Sequence, residues 1–160
     1  MAKAISSTLP LLHLYRIGVL NWLPQIFEEV CLPPAVVEEL KSELQQGQDV
    51  PDPENYAWLT IVEPQKIPEE WEVLNLSEGE LAVMALALKH DTHLVLLDDL
   101  LARRLAQAAG LHVWGTLQIL LEAKRQGLVP TVAQAVDNFV IAGMWISASM
   151  RRRILRLVNE

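Results

Sequence analysis

The chain has 160 residues, 51% of them hydrophobic, a length and composition that suit one compact domain with a substantial core. Its formal net charge of −7 excludes a protein that coats nucleic acid non-specifically, because affinity for phosphate comes mainly from lysine and arginine. The single cysteine, Cys31, excludes an intrachain disulfide and favours a reducing, cytoplasmic location. No apolar run approaches the roughly 20 residues of a membrane helix, so we expect a soluble protein.

The first half of the chain predicts a mixture of strands and helices. In chain order, the expected elements are a strand near 3–6, a helix at about 9–17, a second short helix at about 20–29, a helix over "CLPPAVVEELKSELQQG", a short strand over "WLTIVEP" and a polar linker at 65–76.

The second half continues the alternation of helices and strands. The expected elements are a helix over "SEGELAVMALALKH", a strand over "THLVLLDD", a helix over "LLARRLAQAAG", a short strand over "LHVWG", a helix over "TLQILLEAKRQG", and two helices from about 132 and about 147. The nearly continuous apolar run in "THLVLLDD" is typical of a strand buried on both faces. This pattern predicts an α/β domain whose parallel sheet is covered on both faces.

Two adjacent acids, Asp98 and Asp99, end that buried strand. An open α/β sheet exposes side chains to a crevice at this edge. One of the acids could simply cap the following helix. The second carboxylate is tolerated more easily when a cation or a basic group lies nearby, so this placement favours a ligand role over capping alone.

Two further acids have structural as well as functional explanations. Ser77 and Glu80 have the spacing of a capping box, and that role is as well supported as a functional one. Glu39 is expected at the edge of the buried stripe of its helix and Glu38 is expected to point away. Glu43 lies one turn after Glu39 on the same side, and a solvated flank is the more common explanation for either of these two acids taken alone.

These acids come from three separate helix or strand ends and supply only oxygen ligands. Oxygen ligands suit Mg²⁺ or Mn²⁺ better than zinc. Carboxylates with one or two such ions can activate water and stabilise an in-line phosphoryl displacement. The candidate ligands are Glu39, Glu80, Asp98 and Asp99.

Histidine, serine and basic residues give weaker signals. The four histidines, His13 among them, lack the spacing of a zinc site, and Ser6 and Ser7 lack an identifiable histidine base. Pairs of basic residues are explained first as solvated helix faces and partners of helix dipoles. The run "MRRRILRL" at 150–157 could instead meet phosphate, an acidic partner or the protein's own acidic surface.

Three motifs resemble those of PIN-domain proteins and together span roughly residues 4–145. They are "LLDDLLARRLAQAAGLHVWGTLQILLEAKRQGL", "LPPAVVEEL", and the "GE" of Gly79 and Glu80 before an alanine-rich helix. More narrowly, the chain resembles an uncharacterised prokaryotic subfamily of predicted nucleic-acid-binding PIN-like proteins. The resemblance implies one three-layer domain over 1–160 with a parallel sheet of about four or five strands, and C-terminal helices at about 132–160 that pack on it or on a partner.

The resemblance also implies an activity. PIN domains are typically Mg²⁺- or Mn²⁺-dependent ribonucleases, and many are toxins that bind a small antitoxin protein and form homodimers. It implies that four acids hold the ion, that Ser7 or Thr8 bonds a water on it, and that nearby basic residues grip RNA. The acids would be Glu39, Glu80, Asp98 and Asp99, and the RNA contacts Thr8, Arg103, Arg104, Lys124 and Arg125.

The first motif departs from the family pattern. Family members usually follow the first strand with Asp-Thr-Ser-Pro-Leu, whereas here the matching stretch, residues 7–11, reads "STLPL". Ser7 thus replaces the first acid, and its hydroxyl is a neutral, weaker ligand for Mg²⁺. Two functions therefore stay open: a metal-dependent ribonuclease, favoured by the retained acids, and a PIN domain that binds RNA or a protein without cutting, favoured by Ser7.

Overall fold

A computed structural model describes residues 2–64, 66–90 and 93–160, which contain five strands in one sheet. The strands are β1 (Ala2–Ser6), β2 (Phe27–Leu32), β3 (Leu59–Ile61), β4 (Leu94–Leu96) and β5 (Val113–Trp114). Their order across the sheet is β3-β2-β1-β4-β5, and every neighbouring pair is parallel. The α/β architecture with about four or five parallel strands is confirmed.

Helices flank the sheet. In the described part of the chain they are α1 (Thr8–Arg16), α2 (Trp22–Ile26), α3 (Pro34–Gln45), α4 (Glu78–Lys89), α5 (Leu100–Ala108), α6 (Thr116–Arg125), α7 (Val132–Ile141) and α8 (Ala148–Leu157). Short 3₁₀ turns occupy Pro53–Asn55 and Glu69–Leu74, the second inside the segment predicted as a linker. None of the described helices has the length and apolar character needed to cross a membrane.

The core is continuous on both sides of the sheet. Helix α4 contacts β1, β4 and α3, and residues 81–87 are all buried. Full burial of a leucine or phenylalanine stabilises a fold by about 1.5–3 kcal/mol each. The side chains of Ile5, Leu96 and Phe139 are among those with at most 1% exposure, so the strand centres and α7 anchor the domain.

One strand, β2, was not predicted, because a helix was expected at about 20–29. The helix is shorter and ends at Ile26, and the chain is extended from Phe27. β2 pairs with β1 on one side and with β3 on the other. These ladders satisfy the backbone hydrogen-bonding groups that a longer helix would have satisfied internally, so tertiary pairing outweighs the local helical pattern.

The strand order places a crevice between β1 and β4. The chain leaves β1 towards β2 on one side, while β4 lies on the other side, so the direction of winding reverses there. Ligand sites in open parallel sheets lie beyond the carboxyl ends of the strands at such a reversal. Ser7 follows β1 and Asp98 and Asp99 follow β4, so this topology brings them to the same edge.

Candidate functional site

A cleft of about 680 Å³ opens at the carboxyl ends of β1 and β4. Five of the sequence-predicted site residues line it, at the start of α1, in α3 and at the starts of α4 and α5: Ser7, Thr8, Glu39, Glu80 and Asp99. Three more acids, Glu38, Glu43 and Glu78, share the lining, so six carboxylates among the described residues face this space without a lysine or arginine. We call it the acidic cleft.

Glu39 joins three helices at the floor of the acidic cleft. The hydroxyl of Thr8, at the start of α1, donates to its Oε1 at 2.5 Å. The backbone N–H of Gly79, in the first turn of α4, donates to Oε2 at 3.1 Å. A Cβ at position 79 would clash with the Glu39 carboxylate, so this close approach requires glycine. The contact with Glu39 therefore explains the glycine of the "GE" motif, and the sequence alone did not reveal that contact.

Glu80 forms the capping box predicted from its spacing to Ser77. The N–H of Ser77 donates to Oε1 of Glu80 at 3.0 Å, and the N–H of Glu80 donates to Oγ of Ser77 at 3.1 Å. Burial raises the pKa of Glu80, and the negative charges of Asp99 and Glu39 add to that rise against the lowering effect of the Ser77 hydrogen bonds. Asp99 and Glu39 therefore lie close enough to Glu80 for their charges to disfavour its ionised form.

Ser7 and Asp99 both line the acidic cleft, beyond the carboxyl ends of β1 and β4. Ser7 is only 3% exposed, and both its N–H and its hydroxyl donate to the carbonyl oxygen of Leu96, at 3.0 and 2.9 Å. Asp99 accepts the N–H of Ala102 at 2.9 Å and so caps α5. The hydroxyl proton of Ser7 is thus committed to the β4 backbone, and the residue brings no charge to the acidic cleft.

The side chain of Asp98 binds residues of α1 and α6 and does not line the acidic cleft. One of its oxygens, Oδ2, lies 2.8 Å from Nδ1 of His13 and accepts the hydroxyl of Thr116 at 2.5 Å, while Oδ1 accepts the N–H of Thr116 at 2.8 Å. Burial by itself raises the pKa of Asp98, but the hydrogen bonds from His13 and Thr116 outweigh it and leave that pKa below its usual value. Asp98 is therefore not among the residues that line the acidic cleft with Glu39, Glu80 and Asp99.

The partners of Asp98 were missed by sequence reasoning. His13 was weighed only as a zinc ligand, and Thr116 was not considered. The adjacency of the two acids was the sequence signal that could have indicated a partner for Asp98. A second carboxylate next to the first is tolerated more easily when a basic group or a cation lies nearby. That basic group is a histidine 85 residues away in the sequence, a pairing that only the tertiary structure reveals.

The residues of the acidic cleft do not fit a preformed divalent-metal site. Oxygen donors suit Mg²⁺ or Mn²⁺ chemically. Across residues 2–64, 66–90 and 93–160, however, no three His, Cys, Asp or Glu side chains form a group that could hold a metal ion. Thr8, Gly79, Ser77 and Ala102 already donate to the three carboxylates that share the cleft.

A second groove, of about 730 Å³, adjoins the acidic cleft and shares Leu9 and Asp99 with it. His13, Asp98 and Arg103 line one wall, and the other is lined by residues 144–147 of the α7–α8 connection and by Met150, Arg153, Ile154 and Leu157 of α8. We call it the Trp145 groove, after the exposed residue in that connection. Of the predicted RNA contacts, Arg103 lies in this groove and Thr8 in the acidic cleft.

The remaining predicted RNA contacts lie outside both cavities. Arg104 is exposed on α5. Lys124 donates to the carbonyl oxygen of Pro130 at 2.7 Å, and Arg125 donates from Nε to Glu122 at 2.9 Å. Lys124 and Arg125 thus form hydrogen bonds near the end of α6. These hydrogen bonds do not prevent either side chain from binding a ligand.

A family model described as a PIN domain matches residues 3–160, nearly the whole chain. No curated protein and no solved structure matches the chain.

Proposed function

The chain belongs to the PIN-domain family, and on that premise we propose that it binds RNA and cleaves it weakly or not at all. Membership of this family indicates a nuclease-type or nucleic-acid-binding function. The observation that carries the proposal is the state of Ser7, which is buried, uncharged and hydrogen-bonded to the β4 backbone. The resemblance places the first acid of the family at this position.

The loss of that charge matters because the remaining acids are already engaged. Glu39, Glu80 and Asp99 accept hydrogen bonds from the protein's own donors. Asp98 is withdrawn to His13 and Thr116. A divalent cation drawn into the acidic cleft would therefore meet carboxylates whose charge is already partly satisfied by these donors, without the gain from a fourth carboxylate.

A second candidate is a metal-dependent ribonuclease using Mg²⁺ or Mn²⁺. It is favoured by one observation: Glu39, Glu80, Asp99 and Thr8 line a single open cleft at the carboxyl edge of the sheet. A divalent ion bound there would activate water and stabilise negative charge on phosphate. The roles of toxin, antitoxin partner, homodimer and cytoplasmic protein remain predictions from the resemblance and from the single cysteine.

The two candidates are separated by measuring binding and cleavage of one labelled single-stranded RNA. The native protein is expected to bind the RNA in EDTA and to cleave it little in Mn²⁺. Ser7→Asp is expected to cleave faster, by at least the roughly 10- to 100-fold that groups supporting a metal ligand contribute. Ser7→Asn, which matches aspartate in size but not in charge, is the control and should not gain cleavage.

Asp99→Asn tests the ribonuclease candidate. Asparagine also caps helices well, so this variant is expected to retain the fold. Robust Mn²⁺-dependent cleavage by the native protein, abolished by Asp99→Asn, would establish the ribonuclease and reject the non-cleaving proposal. If Ser7→Asp gains neither Mn²⁺ affinity nor cleavage, the missing acid is not what limits the cleft.

A further inference from the structure

The most exposed large hydrophobic side chain of the described residues lies on the Trp145 groove. Trp145, in the connection between α7 and α8, is 86% exposed. Leu157 and Leu100, on the same groove, are 71% and 61% exposed. Exposed apolar surface concentrated in one groove marks a binding site, and an indole ring is a good platform for a stacked base.

Two arginines line the same groove. The guanidinium of Arg103 lies against Gly115, where a Cβ would clash with it, so the glycine makes room for this side chain. Arg153 contributes from α8. Neither arginine takes part in the ion pairs found among the described residues, and Asp98 on the same groove is hydrogen-bonded to His13 and Thr116 instead.

Helix α8 is positively charged, although the protein as a whole is negatively charged. It carries four arginines and no acid, in a chain whose net charge is −7. Arg151 pairs with Asp137 at 3.0 Å, whereas Arg152, Arg153 and Arg156 are exposed. Arg153 and Arg156 are three residues apart and therefore neighbours on the helix surface, so the positive charge at Arg153, on the groove, continues along α8 beyond its lining.

The charge distribution favours a polyanion over a second copy of the chain. In a two-fold symmetric dimer the same patch meets itself, which would bring two sets of these arginines together. The acidic cleft, with six carboxylates and no lysine or arginine in its lining, repels phosphate, whereas the adjoining groove has two arginines and an indole beside two carboxylates, Asp98 and Asp99. Single-stranded RNA combines the phosphates and the bases that these groups bind.

We propose that single-stranded RNA binds in the Trp145 groove, with a base stacked on Trp145 and phosphates contacted by Arg103 and Arg153. The inference rests on the proposed function and adds the surface that carries it. RNA bound there runs past Leu9 and Asp99, the residues shared with the acidic cleft, so the strand lies beside that cleft rather than across its floor.

The test is fluorescence anisotropy with the full chain and a labelled oligouridylate of about 12 nucleotides, in EDTA and about 50 mM salt. Trp145→Ala should weaken binding roughly 5- to 150-fold, the equivalent of one stacked base, and Trp145→Phe should retain most of the affinity. Arg153→Gln should weaken binding roughly 3- to 10-fold. Arg16→Gln, which removes the same charge from an exposed site outside the groove, is the control and should change little.

Three experimental results would overturn either the groove assignment or the proposed function, and they can be told apart. If the native protein binds RNA and both Trp145→Ala and Arg153→Gln bind it equally well, the groove assignment is wrong while the proposed function stands. If those variants keep full RNA affinity but change a dimer into a monomer in sedimentation velocity, the groove is an interface between copies and the proposal is overturned. If the native protein binds no RNA, the proposed function itself fails.

Discussion

At the scale of single residues, the acids of this domain are already occupied by the protein's own donors. Asp98 accepts three hydrogen bonds from His13 and Thr116, and Glu39 accepts two from Thr8 and Gly79. Such charge-assisted hydrogen bonds stabilise a carboxylate where it is. The acids therefore act as structural links between helices, in addition to any role towards a ligand.

Glu80 also accepts a hydrogen bond, but it differs from these acids because ionising it costs stability. Burial, together with the charges of Asp99 and Glu39, raises the pKa of Glu80 in the folded protein. The folded state then holds the proton more tightly than the unfolded chain does, so stability falls as the pH rises through that raised pKa.

Glu80→Gln tests this effect, because glutamine keeps the acceptor of the capping box but not the charge. We expect the Tm at about pH 7 to rise by about 1–2 °C, a modest effect since the side chain is half exposed and its charge is screened. At about pH 4 the two proteins should differ little. Glu78→Gln, in the same helical turn, is the control and should lower the Tm slightly by removing a charge that favours the helix dipole. A lower Tm for Glu80→Gln at neutral pH would contradict the account.

At the scale of elements, sequence reasoning succeeded where local signals agreed with tertiary structure. The "SEGELAVMALALKH" helix begins after Ser77 with both bonds of its capping box in place. Strand β2 was missed because "FEEVCL" becomes extended only through pairing with two other strands. The contacts of Asp98 were missed for the same reason, since side-chain pairing across 85 residues leaves no local signal.

The contact between α3 and α4 gives an element-scale prediction. Gly79→Ala should destabilise the fold by about 1–3 kcal/mol, because the added methyl group displaces the Glu39 carboxylate and breaks its hydrogen bonds from Thr8 and the residue 79 N–H. In a Glu39→Ala background the same change should be neutral or stabilising, since alanine is favoured over glycine in a helix by about 1 kcal/mol.

A double-mutant cycle measured by urea unfolding tests this coupling. Additive effects of Gly79→Ala and Glu39→Ala would show that the glycine is not there to admit the carboxylate.

At the scale of the whole molecule, charge is divided between two adjoining cavities. The reversal of winding between β1 and β4 gathers acids into the acidic cleft, while α8 and α5 place arginines around the Trp145 groove. The net charge of −7 hides this division, which is why composition alone excluded only non-specific coating of nucleic acid.

This division predicts a shallow salt dependence of RNA binding. About two or three phosphates contacted by arginine correspond to a slope of about −1.5 to −2 for log K against log salt, from the factor of about 0.7 per phosphate on single strands. Anisotropy titrations at several salt concentrations measure the slope. A slope steeper than about −4 would indicate a broad electrostatic surface, and a slope of zero would exclude phosphate contacts.

The central claim, that Ser7 deprives the acidic cleft of its metal ion, is tested most directly by measuring Mn²⁺ affinity with electron paramagnetic resonance. The native protein should bind Mn²⁺ only at millimolar concentrations, and Ser7→Asp should bind it at least about tenfold more tightly, with Ser7→Asn unchanged. Micromolar Mn²⁺ binding by the native protein, with no gain in Ser7→Asp, would contradict the claim.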